Sequence, residues 1–208
     1  LDGLTWDPTQ SAQRSIAPDP WESMRVNGRY IWLLGSETSE PWYNTGDSPF
    51  PFAPYPSLLI PYGIAAPFAV AVSEGTIVWF GASKTGQRQV LRASGFQPEV
   101  VSDFPTQYIF NGYTTVADAQ ADMLNYLGHT FFFLHFPSEN ITWVWDAQSN
   151  KWTNWGTWIS ETNIYIAWRP RWHAMAFGRH MMLDSDTGDV YIMAADLVLD
   201  VDERPIRR

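Results

Sequence analysis

Four segments of the sequence share one design: an aromatic-rich apolar run, a short polar turn, and a second strand that opens on apolar residues. The segments begin near residues 30, 77, 141 and 180. Their turns carry Gly, Asp, Ser or Thr, which tolerate positive φ or bond their own backbone. A hairpin that is apolar on both faces must be covered on both by similar sheets. The pattern therefore predicts a mainly β fold built from repeats, above all a complete or partial β-propeller of about four blades.

The spacing of the segments is uneven, with steps of 47, 64 and 39 residues, whereas a propeller blade takes about 40–50. The long middle step contains a helix-like pattern. Thr115 is suited to an N-cap, and Asp118 completes an acidic variant of the capping box. Gly128 is suited to the position just after the last residue of a helix. The apolar residues at helical spacing are Val116, Ala119, Met123, Leu124 and Leu127. The sequence thus predicts one α-helix, at about residues 115–127, inserted between blades.

Domain organisation follows from the absence of any linker-like stretch. Neither a Gly/Ser run nor a charge block divides the 208 residues, so we expect a single domain over residues 1–208. The first residue is Leu1 and the chain opens in the turn-like residues 2–6. We therefore expect a fragment of a longer chain, and the blade count and ring size stay open.

Charge and cysteine content narrow the function classes. The formal net charge of −9 argues against gripping a phosphate backbone, and it is compatible with nucleic acid sliding past without sticking. Because the sequence contains no cysteine, disulfides and thiol chemistry are excluded. No apolar run reaches the length of a membrane span.

Three local patterns resemble functional sites only in part. Residues 81–88 have the glycine spacing of a phosphate loop, but Gln87 and Arg88 stand where lysine and a hydroxyl residue are needed, which favours a hairpin turn. Residues 184–189 resemble a calcium loop without its bidentate glutamate, which favours an Asp-stabilised turn. His135 lies in an apolar run and is typical of a buried core histidine. We predict no catalytic, cofactor-binding or metal-binding residue.

Residues 41–67, called the aromatic segment below, combine seven prolines with aromatic side chains. Proline removes ladder donors, so the segment is not a central strand throughout, and its low charge argues against disorder. Two interpretations remain: a loop folded back over the edge of its own propeller, or an arm that docks on a neighbouring subunit. The candidate interaction residues are Trp42, Tyr43, Phe50, Phe52, Tyr55 and Tyr62.

A family resemblance extends over nearly the whole chain. The residues that carry it include Asp2-Gly3-x-Thr5-Trp6, Gly35-x-x-Thr38-x-Glu40-x-Trp42-Tyr43-x-Thr45-Gly46, Ala65-Ala66-Pro67, Arg92-Ala93-x-Gly95-Phe96-x-Pro98, Asp118-Ala119, Gly128-His129, Thr142-Trp143-Val144-x-Asp146 and Pro205-Ile206-x-Arg208. On these residues the chain resembles the packaged-DNA stabilisation proteins of short-tailed bacteriophages, which form the tail hub or nozzle below the portal.

The resemblance implies a non-enzymatic virion component, assembled in the host cytoplasm, that extends the DNA channel and retains the packaged genome. Its expected partners are portal-adaptor and other tail proteins, and it implies a homo-oligomeric ring, a hexamer, through which DNA passes without specific binding. Two alternatives stay open at this point. One is a carbohydrate-binding or sialidase-like propeller, and the other is a protein-interaction propeller of cellular origin.

Overall fold

The computed structural model describes residue 11, residues 16–159 and residues 162–194, and it contains four antiparallel sheets that follow one another along the chain. We call them blades 1 to 4. Blade 1 contains β1 (Trp21–Asn27), β2 (Tyr30–Gly35), β3 (Ser39–Asn44) and β4 (Phe52–Pro54), and blade 2 contains β5 (Gly63–Ile64), β6 (Val70–Ser73), β7 (Thr76–Ala82), β8 (Arg88–Ser94) and β9 (Pro98–Val100). Helix α1 (Phe104–Gly112) comes next. Blade 3 contains β10 (Gln120–Tyr126), β11 (His129–Phe136), β12 (Ile141–Asp146), β13 (Lys151–Ile159) and β14 (Ile164–Ala167), and blade 4 contains β15 (Pro170–Ala176), β16 (Arg179–Asp184) and β17 (Val190–Met193).

One strand near the start of each blade forms an inner row. Strand β1 contacts β6, β6 contacts β10, and β10 contacts β15. A parallel bridge between Phe68 and Gln120 joins blades 2 and 3 where β6 and β10 begin. Where β1 and β6 end, the Asn27 side-chain amide donates to the Gly75 carbonyl oxygen across 2.9 Å and joins blades 1 and 2. Successive blades stacked through their inner strands are the arrangement of a β-propeller, so the predicted fold class is confirmed.

The central strands of blades 2 and 3 are apolar on both faces because each of these two blades is covered on two sides. In β7, Ile77 and Trp79 belong to the buried cluster between blades 1 and 2, whereas Val78 and Phe80 belong to the cluster between blades 2 and 3. In β11, Phe132 faces blade 2, and its neighbour Phe133 belongs to a third cluster, shared with blade 4. We call these clusters seam 1–2, seam 2–3 and seam 3–4.

The uneven spacing seen in the sequence comes from comparing unlike strands. All four predicted strand–turn–strand segments are hairpins, one in each blade. The segments that begin near residues 30, 77 and 180 start at the second strand of the inner hairpin, but the segment near 141 starts one strand further out, at β12. When β11 is used instead, the equivalent strands begin at Tyr30, Thr76, His129 and Arg179. The steps are then nearly even, so no insertion is needed to explain the spacing.

The predicted helix at residues 115–127 is wrong in position. A helix does lie between blades 2 and 3, but it is α1, and residues 120–126 form the inner strand β10. Met123 belongs to seam 2–3 and Leu124 to seam 3–4, because a strand covered on both faces is apolar at consecutive positions. Leu127 and Gly128, where the sequence predicts the end of the helix, form the hairpin turn that leads into β11. Among the described residues, no helix has the length and apolar character that crossing a bilayer requires.

Helix α1 has the start signals that residues 115–118 imitate. The Asp103 carboxylate accepts the Thr106 backbone N–H at 2.9 Å, and Pro105 lies in the first turn. Proline there costs no hydrogen bond and preorganises the helical φ. At the other end, the Arg88 guanidinium donates to the carbonyl oxygens of Phe110 and Tyr113, at 3.1 and 2.8 Å. The helix therefore ties β8 to the outer end of seam 2–3.

The inner strand of blades 2, 3 and 4 enters the next strand through a two-residue turn with positive φ at both positions. These pairs are Glu74-Gly75, Leu127-Gly128 and Phe177-Gly178, and their φ values lie between 48° and 81°. Such turns are type I′, whose twist matches that of the strands. Since blades 2, 3 and 4 each contain the same inner hairpin, the three turns lie at the same end of their inner strands.

Candidate interaction surfaces

The first half of the aromatic segment belongs to blade 1. Trp42 lies in β3 and is only 4% exposed. Its indole N–H donates to a Glu40 carboxylate oxygen at 3.2 Å. Phe50 packs edge-on against both Trp42 and Phe52, and β4, which contains Phe52, pairs with β3.

The remaining three candidate residues also pack on blade 1 or on seam 1–2. Tyr55 contacts Tyr30, Tyr43 and Phe96, and Tyr62 packs against the seam 1–2 cluster. The segment is thus folded back over the edge of its own propeller. Its surface is mostly half-buried, and its role in docking a neighbouring subunit stays a prediction.

A second surface, which the sequence reasoning missed, lies on the outer side of α1. Phe104 is 79% exposed and Tyr108 is 76% exposed. They are four residues apart and therefore share one side of the helix, while Phe110 on the opposite side is fully buried in seam 2–3. The sequence signal that locates this surface is an Asp N-cap followed two residues later by proline.

A third surface is the side of blade 4 that faces away from blade 3. The pairing places Trp172 opposite Leu183, Leu183 opposite Val190, and Met181 opposite Ile192. Directly opposed residues share a face. Trp172, Leu183, Val190 and Ile192 are all exposed in the described part of the chain. Exposed apolar side chains grouped on one sheet face are a recognised mark of contact surfaces.

The two loops that resembled ligand sites are turns, as predicted. Residues 83–87 connect β7 to β8, where the Ser83 N–H donates to the Gln87 carbonyl oxygen and that of Gly86 to the Ser83 carbonyl oxygen. In the other loop, Asp184 accepts the backbone N–H groups of Asp186 and Thr187 and the Tyr191 hydroxyl. Burial alone would raise the pKa of Asp184, but these hydrogen bonds and nearby Arg169 hold it below its ordinary value. The Asp184 carboxylate therefore accepts hydrogen bonds from groups in and beside its own loop and stabilises the turn.

His135 is buried, as predicted for a core histidine. It is 2% exposed, and its Nδ1 lies 3.0 Å from the Thr142 hydroxyl. Burial, assisted by the positive charge of Arg171, lowers the pKa of His135 to about 3. The ring is therefore neutral at physiological pH.

A cleft between blades 2 and 3 has a volume of about 250 Å³. Trp145 lies in its wall, and the Arg92 guanidinium lies 5.5 Å from the centre of the Trp145 ring. Arg92 is also paired with Glu99. Glu74 is the one carboxylate among the described residues that line the cleft, whereas a glycosidase uses two. Sugar binding stays an untested alternative.

Side chains able to bind a metal ion occur at several places in residues 11, 16–159 and 162–194. These residues contain no group of three or more His, Asp or Glu side chains placed to hold a metal ion. The calcium-like loop in particular directs its buried Asp184 to backbone N–H groups, as described above. The acidic residues after position 194 lie outside the described residues.

Fold and surfaces together define the class of this chain: a β-propeller with exposed apolar patches on a helix and on a sheet face. Residues 1–198 match the family described as "Bacteriophage P22 Gp10, beta-propeller", and the chain belongs to that family. No curated protein sequence matches the chain. The predicted family is thereby confirmed, and the chain is a bacteriophage structural β-propeller rather than an interaction propeller of cellular origin.

Proposed function

We propose that this chain is a structural component of the phage tail hub, the connector between head and tail. There it extends the DNA channel and retains the packaged genome. It performs no catalysis, is assembled in the host cytoplasm and remains in the virion. The observation that carries the proposal is the match of residues 1–198 to the Gp10 β-propeller family.

The proposed partners are portal-adaptor and other tail proteins, together with further copies of the chain in a ring. The resemblance implies six copies. Exposed apolar side chains on α1 and on blade 4 support this proposal, because isolated domains rarely expose grouped aromatic residues without a partner. Buried aromatic residues also dominate interface energetics. The surface of α1 is the sharper candidate, since Phe104 and Tyr108 project from a helix that is fixed at both ends.

Passage of DNA without specific binding is supported by charge. The formal net charge is −9, and several arginines are already engaged within the chain. Arg92 pairs with Glu99, and Arg169 lies between Asp184 and Asp186. Binding to a phosphate backbone requires clustered free cations. A conduit with few of them would let DNA leave quickly.

The test uses DNA-filled particles assembled without this protein. We expect the purified chain to associate with them and to protect the packaged DNA from nuclease. The double substitution Phe104→Ser with Tyr108→Ser should weaken association about 10-fold or more, the effect of losing interface hot spots. Tyr55→Ser tests the aromatic segment in the same assay.

The matched control is Lys84→Ser, in the exposed turn between β7 and β8, which should leave association unchanged. Circular dichroism confirms that each variant is folded. If the wild-type chain neither binds the particles nor protects their DNA, the proposed function is wrong. If only Tyr55→Ser weakens association, the function stands and the docking surface lies on the aromatic segment instead of α1.

A further inference from the structure

Blade 4 places two histidines and three methionines on one face, the face turned towards blade 3. His173 pairs with Met182, Met175 pairs with His180, and His180 also pairs with Met193. Directly opposed residues on antiparallel strands have Cβ atoms about 4.5–5.5 Å apart on the same side of the sheet. Both cross-strand neighbours of His180 are therefore thioethers.

The two imidazoles already converge on one point. His173 Nε2 lies 2.8 Å from His180 Nδ1, and the rings are stacked with centres 5.0 Å apart. At this distance one nitrogen donates and the other accepts, so a single proton occupies the space between two potential ligand atoms. The Tyr126 ring packs edge-on against His180, with centres 5.1 Å apart, and holds the imidazole in this orientation.

Packing accounts for Met182 and Met193, which belong to seam 3–4 or pack against it, but not for Met175. Met182 is buried in seam 3–4 and serves as core. Met175, in contrast, is 57% exposed, although its thioether stem would be better buried if its role were to fill space. It stands directly beside a histidine at the half-buried mouth of the seam.

The chemistry of this set selects one kind of ligand. Thioethers and imidazoles are soft or borderline donors that favour monovalent copper, whereas calcium and magnesium require oxygen donors. The nearest carboxylate on the facing strand, Asp122, accepts the backbone N–H groups of Met123 and His173, at 2.8 and 2.6 Å. Oxygen ligation is therefore not what this cluster offers.

We propose that His173, His180, Met175 and Met193 bind one Cu(I) ion at the mouth of seam 3–4. The metal replaces the proton between His173 Nε2 and His180 Nδ1. The ring that donated this proton carries it on its other nitrogen instead, so no net proton is released and no oxidation occurs. Because the site joins β15, β16 and β17 beside β10, a bound ion fastens blade 4 together.

The experiment is an anaerobic titration of the full chain with Cu(I) delivered as its bicinchoninate complex. We expect the protein to withdraw one equivalent of Cu(I), read from the loss of the coloured complex. The double variant Met175→Leu with Met193→Leu keeps apolar volume and removes two ligands. Its affinity should fall by at least the about 10-fold that removal of an outer-shell partner costs. His180→Phe should abolish binding.

The matched control is Met181→Leu, on the same strand as His180 but on the opposite face, which should bind as the wild type does. In methyl NMR of the methionines, Cu(I) should shift the Met175 and Met193 signals and leave Met181 and Met24 unchanged. Failure of the wild-type chain to take copper would overturn the site. So would equal weakening by Met181→Leu, or an unchanged affinity in the double leucine variant.

Discussion

Seams 2–3 and 3–4 lie on the two sides of blade 3, yet they contain different numbers and kinds of buried side chains. Seam 2–3 is a large apolar cluster in which Phe80, Phe110 and Phe136 contact one another, and Trp143 packs against Phe110. Among the described residues, the fully buried cluster of seam 3–4 is smaller and consists of Leu124, Phe133, Val144 and Met182.

Seam 3–4 also contains polar groups and hydrogen bonds between them. The Asp122 carboxylate accepts the His173 backbone N–H, and the Thr142 hydroxyl accepts the Trp168 backbone N–H at 3.1 Å. His135 is buried on the same side of β11 as Phe133, and its Nε2 has no hydrogen-bond partner among the described residues. Polar groups buried in this way contribute little net stability and cost free energy when they are left unpaired.

The contrast indicates which part of the stack is rigid. Blades 2 and 3 are held by apolar area, which stabilises in proportion to the surface buried. Blade 4 is held by fewer apolar contacts and by titratable groups. We therefore expect blade 4 to open before blades 2 and 3, and to respond more strongly to pH.

The largest expected effect is truncation in seam 2–3. Phe132→Ala should lower the free energy of unfolding by about 3–5 kcal/mol, the usual cost of removing a fully buried phenylalanine. The adjacent Phe131→Ala is the matched control, because Phe131 faces seam 3–4 and is only partly buried. Denaturant unfolding of both variants measures the difference, and equal losses would show that the two seams contribute alike.

Removal of the titrating group from seam 3–4 should change the pH dependence. The folded pKa of His135 is about 3, against about 6.5 when unfolded, so the unfolded state binds more protons between these values. Its contribution to stability is complete above pH 6.5 and is lost as the pH falls towards 3. Between pH 7 and pH 5 the loss should be about 2 kcal/mol.

His135→Leu should remove that loss, so its stability at pH 5 should approach its value at pH 7 more closely than in the wild type. Urea unfolding of both proteins at the two pH values gives the comparison. Asp122 acts in the opposite direction, because burial raises its pKa, and it is present in both proteins. An identical pH dependence in the two would contradict the assignment to His135.

A smaller effect is expected at the helix that closes the outer end of seam 2–3. Asp103→Ala removes the N-cap of α1 and should cost about 1 kcal/mol. Thr115→Ala, at the cap position that the sequence suggested, should cost less than about 0.5 kcal/mol. Hydrogen exchange of the Thr106 amide, which Asp103 accepts, reports the loss of the cap directly. Faster exchange after Thr115→Ala instead would contradict the position of the helix.

Strands that are apolar on both faces made the blades predictable. In β7, the residues from Ile77 to Phe80 are all apolar because the strand is covered by a neighbouring blade on each side. Each of the four hairpins was predictable from its own residues. The same property caused the error in β10. Met123 and Leu124 point to opposite seams, and consecutive apolar residues of this kind also fit a helix. Local sequence cannot distinguish the two when the covering sheets are unknown.

The interaction surfaces were less predictable because exposure depends on distant residues. Composition drew attention to the aromatic segment, but the burial of Trp42 depends on Glu40 and on the loop around Ala17, whose N–H also bonds Glu40. On α1, Phe104 and Tyr108 are exposed, so the helix lacks the apolar stripe by which helices are recognised. In blade 4, Met182 is buried and Leu183 exposed only because blade 3 stands on one side.

The smallest expected effect lies at the turn of blade 4. Phe177 has φ of 52° and is 96% exposed, so its ring gains no burial in return for a conformation that disfavours bulky residues. Asn-Gly is the preferred pair for a type I′ turn, and Phe177→Asn should therefore stabilise the chain by about 0.5 kcal/mol. Leu127→Asn, at the equivalent turn of blade 3, should do the same. Thermal unfolding measures both. If Phe177→Asn destabilises the chain while Leu127→Asn stabilises it, the Phe177 ring contributes to blade 4 through contacts that its exposure does not reveal.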